Sequence, residues 1–143
     1  MLDAYQDLID DLLSTPTEIR ALIYAPGGPS TSPEAKRLVA ELRHRDRAIL
    51  ERVQAIMREE TPYLSALRPN ASADDEDLSA LLEEMEIARG DLVSLLINLS
   101  LKDWTRAAID ETGHEITLAD EIEQHVEFDE RQRRLLRETV SGS

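Results

Sequence analysis

Asp103-Trp104-Thr105-Arg106, then a loop around Gly113, then Ile116-Thr117-Leu118 and a long segment carrying His125, Phe128 and Gln132: this stretch decides how the chain is read. Steps of three and four residues fall on one face of an α-helix, so His125, Phe128 and Gln132 share a face. Thr117 can cap that helix with its hydroxyl. Glu115, Asp120 and Glu121 crowd its start and Arg131, Arg133, Arg134 and Arg137 its end, an order that complements the helix macrodipole. With Leu118, Ile122, Val126, Leu135, Leu136 and Val140 as its apolar positions, the segment predicts a helix near residues 117–139.

Three more amphipathic segments lie upstream. Leu2, Tyr5, Leu8, Ile9, Leu12 and Leu13 predict a helix near residues 2–14. Thr15-Pro16 with Glu18 reads as a capping box with proline in the first turn, which starts a separate short segment through Ile19, Leu22 and Ile23. The prolines and glycines between Ala25 and Ser30 cannot continue it. Ser32-Pro33 opens the next helix, near 33–58, and a connection containing Pro62, Pro69, Asn70 and Ser72 leads to another near 76–99. Leu38, Leu42, Ile49, Leu81, Met85, Leu92, Leu96, Ile122, Val126 and Leu136 form the predicted core.

Four such helices imply an all-α four-helix bundle. The connection between the second and third spans about 16 residues and reaches some 50 Å when extended, whereas a helix of about 25 residues is about 38 Å long. A parallel second and third helix is therefore permitted, as are plain antiparallel neighbours. At 143 residues, the whole chain, 1–143, is read as one domain able to bury roughly 70% of the surface its unfolded form exposes.

The chain has no cysteine, so disulfides, thiolate ligands and a cysteine nucleophile are excluded. Neither a membrane-length apolar run nor a signal peptide is evident, and a cytoplasmic location is expected. The formal net charge of −14 repels a phosphate backbone, which argues against nucleic-acid binding. Arg43, Arg45 and Arg47, interleaved with Asp46 and Glu51, read as a solvated, salt-bridged face, as do the arginines near the C-terminus.

The segment from Asp103 to Gln132, together with Leu12-Leu13, Thr15-Pro16, Pro26-Gly27-Gly28, Ser32 and Leu38-Val39-Ala40-Glu41-Leu42, resembles the bacterial DinB/YfiT-like helical bundles over nearly its whole length. That resemblance implies an up-down-down-up bundle, frequent pairing into homodimers, and a metal held by three histidines. Glu41, Phe128 and Gln132 stand where those histidines are expected. Phenylalanine has no lone pair and an amide oxygen is a weak ligand for metals that imidazole suits. The metal site is therefore read as absent, its place near a fixed charge on Arg89. Leu50, Ala88, Val93 and Leu95, beside the main stripes, are candidates for a dimer interface.

His44 and His125 are each displaced three residues from a family ligand position, and in antiparallel helices both shifts run the same way along the bundle axis. An alternative divalent transition-metal site at His44, His125 and Glu41 or Asp129 follows. Asp46, Arg89 and Asp129 interrupt apolar stripes and must be paired if buried. With His125, and Glu41 beside them, they form either the floor of a polar pocket or, more simply, a structural tie. Trp104 and Arg106 match the family's Trp-x-Arg motif; the tryptophan covers the bundle end or lines a pocket mouth with Arg106 offered to an anion. Gln132 completes the pocket candidates, and His114, beside Gly113, is expected in solvent. The favoured function is a small-organic-ligand-binding or stress-associated interaction module without metal. Its rival is a metal-dependent thiol transferase or isomerase of the bacillithiol or mycothiol type.

Overall fold

Ser32 and Pro33 open a helix as their chemistry dictates: the serine hydroxyl accepts from the Ala35 amide, and proline fills a first-turn position that has no amide to lose. A computed structural model of the chain describes residues 3–26, 32–68 and 76–141, and the loop readings at 27–31 and 69–75 lie outside the described residues. Its elements are α1 (Asp3–Ile23), α2 (Pro33–Arg58), α3 (Leu78–Ile97), the one-turn α4 (Leu101–Trp104), β1 (Ala107–Ile109), β2 (Glu115–Thr117) and α5 (Leu118–Ser141).

Side-chain pairs fix the direction of every long helix. Ile9 and Leu12 share a cluster with Leu92 and Leu96, while Ile19 and Ile23 share one with Leu78 and Leu82, so α1 and α3 are antiparallel. Arg43 reaches Glu76 and Glu84 and Asp46 reaches Arg89, so α2 and α3 are parallel. Arg52 bonds Glu121, Arg45 bonds His125 and Gln132 bonds the Leu38 carbonyl, a descending series that makes α5 antiparallel to α2. The bundle runs up-down-down-up, and the α2–α3 connection crosses its full length. Along that crossing, Leu64 N–H donates to the Ile109 carbonyl and Ile109 N–H to the Pro62 carbonyl, both at 2.8 Å, which lays residues 62–64 against β1.

The core divides in two. Leu12, Ile49, Leu92, Leu96, Trp104 and Ile122 are among those filling one end, and Ile19, Leu38, Leu42, Leu81, Met85 and Leu136 are among those filling the other. All ten predicted core residues are buried. Between the two apolar cores lies a polar layer centred on Arg89. Among the described residues, no helix is long and apolar enough to cross a membrane.

Two expectations change. The helix of residues 2–14 does not stop at Thr15; α1 runs through Pro16 to Ile23. Proline cannot donate to the carbonyl four residues back, and that carbonyl, on Leu12, instead accepts from Arg89 Nη1 at 2.6 Å. Of the four dimer-interface candidates, Ala88 and Val93 are buried, and Leu50 and Leu95 are half-buried against the core. The segment before α5 holds a two-stranded antiparallel hairpin that the periodicity did not show. Its turn is organised by Asp110, whose carboxylate accepts from the amides of Thr112 and His114, and is closed by Gly113 at φ 86°, a conformation side chains disfavour. The Thr112 hydroxyl and these amides hold the Asp110 carboxyl below its ordinary pKa.

Candidate functional site

Arg89 is the hub. Its Nε donates to Asp46 Oδ1 at 3.0 Å, its Nη2 to Asp129 Oδ1 at 2.8 Å, and its Nη1 to Asp129 Oδ2 at 2.8 Å as well as to the Leu12 carbonyl. One side chain thus joins all four long helices. Thr15 donates its hydroxyl to Asp129 Oδ2 at 2.9 Å and accepts from Arg133 Nη1 at 3.0 Å. Burial opposes the charge on Arg89, but Asp46 and Asp129 outweigh it and hold the guanidinium above its ordinary pKa.

His125, fully buried, extends this layer. Arg45 Nε can only donate, and it stands 3.2 Å from His125 Nδ1, which must therefore be the acceptor. The ring proton then sits on Nε2 and is donated to Asp46 Oδ1 at 2.6 Å. Arg45, histidine, aspartate, Arg89 and Asp129 form one chain of polar contacts leading from a cavity into the centre of the bundle.

That cavity, of about 260 Å³, opens between α2, α5 and the α2–α3 connection, and Glu41, His44, Arg45, Leu67, Arg68 and Phe128 line it, with Ala48 at its edge. The Arg45 guanidinium lies 4.6 Å from the Phe128 ring centroid, and Arg131 approaches the same ring at 5.8 Å. Burial pushes the Arg45 guanidinium below its ordinary pKa, against the attraction of Glu121. Among the described residues Arg45 has no carboxylate partner within ion-pair distance. The alternating-charge reading of residues 43–47 holds for Arg43, paired with Glu76 and Glu84, and for Arg47, paired with Glu84, but fails for Arg45. Sequence gave no sign of this, because Arg45 owes its setting to His125 and Phe128, 80 or more positions away on α5.

The three positions where the resemblance places metal ligands do converge, but their chemistry does not fit a metal. Gln132 Nε2 donates both to the Leu38 carbonyl and to Glu41 Oε2, each at 3.1 Å. Since both partners are acceptors, the amide cannot be turned to offer its oxygen there. Glu41 is further bound by Arg37 at 2.6 Å, and Phe128 presents a ring. The fixed positive charge beside Phe128 is Arg45; Arg89, expected in that role, is held by its two aspartates instead.

The relocated set of His44, His125 and Glu41 or Asp129 is not assembled. His44 Nε2 donates to the Arg68 carbonyl at 2.8 Å, His125 is engaged at both nitrogens, and Asp129 is occupied by Arg89 and Thr15. Among the described residues, no three His, Cys, Asp or Glu side chains are placed to share a metal ion. Glu41 bonds none of Asp46, Arg89 and His125, which corrects its placement in their cluster. Asp46, Arg89 and Asp129 lie beneath the cavity and do not line it.

Trp104 and Arg106 do not join the site either. Trp104 is fully buried at the other end of the bundle and stacks on Tyr5 with centroids 4.6 Å apart and planes 4° from parallel. Arg106 is exposed and paired with Asp103, and His114 is exposed on the hairpin turn. Of the nine candidates, Glu41 and His44 line the cavity, Gln132 and His125 bond to residues that line it, and the other five do not line it.

No protein-family model and no curated protein sequence matches the chain. Among solved structures it is similar to YfiT from Bacillus subtilis, described as a probable metal-dependent hydrolase with an unusual four-helix bundle topology. The TM-score is 0.80 at 18% sequence identity, over 93% of this chain and 83% of that one. With the direction of each helix fixed independently by its side-chain pairs, the chain has a four-helix bundle fold similar to that of YfiT.

Proposed function

We propose that this protein binds a small organic ligand in the cavity beside Phe128, without a metal. The observation that carries this reading is the state of positions 41, 128 and 132: a carboxylate already engaged by Arg37, an aromatic ring, and an amide turned to donate. The metal-dependent hydrolysis attached to the neighbour is not carried over, because that chemistry needs donors these residues do not supply. What remains is a concave site of about 260 Å³, slightly below the range of about 300–1,000 Å³ usual for drug-sized ligands, with an apolar wall and a few polar groups.

A neutral probe tests the cavity itself. Benzamide at millimolar concentration is expected to shift the amide resonances of Arg45, Ala48 and Phe128 in ¹⁵N-labelled protein, in a saturable manner. Shifts confined to other surfaces, or none, would contradict the proposed site.

A further inference from the structure

We propose that the cavity takes a small monocarboxylate with an apolar, ring-bearing body, its carboxylate seated on Arg45. This deepens the ligand-binding reading and rests on it. Most polar groups at the cavity already have partners. Glu41 is shared by Arg37 and Gln132, and the His44 Nε2 proton goes to the Arg68 carbonyl. Arg45 uses only Nε, donated to His125 Nδ1, and its two terminal nitrogens have no hydrogen-bond acceptor among the described residues. A half-buried guanidinium fork held from behind and unmatched in front is an anion site by geometry, since its paired N–H groups match the two oxygens of a carboxylate.

The surroundings narrow the anion. Phe128, Ala48 and Leu67 give the cavity an apolar wall, and the Phe128 ring is itself held by Arg45 at 4.6 Å and Arg131 at 5.8 Å, so a flat apolar body can lie against them. The protein's net charge of −14 opposes every anion in proportion to the ligand's own charge. A monoanion meets that field once, whereas a phosphate dianion meets it twice with no larger share of the single fork. The lining sets Arg45 and Arg68 against Glu41, whose charge is engaged by Arg37, and that balance suits one carboxylate and not a polyphosphate or a nucleic acid.

The test uses the full chain, ¹⁵N-labelled, titrated separately with benzoate, benzamide and inorganic phosphate. Benzoate is expected to bind about 10- to 100-fold more tightly than benzamide at the same amides, and more tightly than phosphate. Arg45→Met should bring benzoate to the level of benzamide measured on the same variant, and Arg45→Lys should retain part of the difference. Equal affinity for benzoate and benzamide would overturn the carboxylate assignment while the cavity stood; no response to either probe would remove the cavity as well. Phosphate binding as tightly as benzoate, or a benzoate affinity unmoved by Arg45→Met, would also overturn it. The comparison of the three probes on the unaltered chain decides the matter even if a variant fails to fold.

Discussion

Arg89→Met is expected to destabilise the fold by about 3–5 kcal/mol, with a fall in Tm of roughly 10 °C or more. The loss comes less from the missing bonds than from what they leave behind. Asp46 and Asp129, 0% and 1% exposed in their side chains, would be stranded as two buried carboxylates without their counter-ion. The Leu12 carbonyl, already denied an amide by Pro16, would lose the side-chain donor it has among the described residues. Arg89→Lys preserves the charge, but one ammonium cannot span partners on three other helices, so an intermediate loss is expected. Replacing Asp46, Arg89 and Asp129 together with apolar residues should recover much of the deficit, because the cost lies in unpaired charge. Urea denaturation of the three variants measures all of this; a loss below about 1 kcal/mol for Arg89→Met would show that the layer is not the tie described.

Trp104→Ala is expected to cost about 3–5 kcal/mol, and Trp104→Phe much less. The indole is fully buried among Leu12, Leu96, Leu99 and Ile122, and it stacks flat on Tyr5, so truncation opens a large void under the end of the bundle. Its N–H has no partner among the described residues, so phenylalanine forfeits no hydrogen bond made there. A double-mutant cycle with Tyr5→Leu should return a coupling of about 0.5–1.5 kcal/mol. Equal losses for the alanine and phenylalanine variants would mean that the indole nitrogen matters in a way the geometry does not show.

The helices were legible wherever apolar spacing and a cap agreed. α2 begins and ends where Ser32-Pro33 and the fading stripe at Arg58 predict, and the threonine at 117 caps α5 through a reciprocal pair with Asp120. Thr15-Pro16 was misread because the same residues serve equally to start a helix or to sit inside one whose freed carbonyl finds a donor. Here the donor is Arg89, 77 residues further along. Three-residue strands such as Ala107–Ile109 carry too few alternations to register as a period. The Asp46–Arg89–Asp129 network was readable because charges inside apolar stripes must find one another. The cavity was not, since it depends on where α5 lays Phe128 and His125 against Arg45, and on Leu67 and Arg68 of the crossing connection.

The reading proposed for positions 41, 128 and 132 is that they hold no metal. The direct measurement is metal content by elemental analysis of protein purified without an affinity tag, repeated after dialysis against excess zinc, nickel and manganese, with Tm followed in parallel. Less than about one tenth of an equivalent of any transition metal per chain and no rise in Tm are expected, since Phe128 has no lone pair, the Gln132 amide is turned to donate, and Arg45 repels a divalent cation. About one equivalent per chain, abolished by Glu41→Ala or His125→Ala, would contradict it.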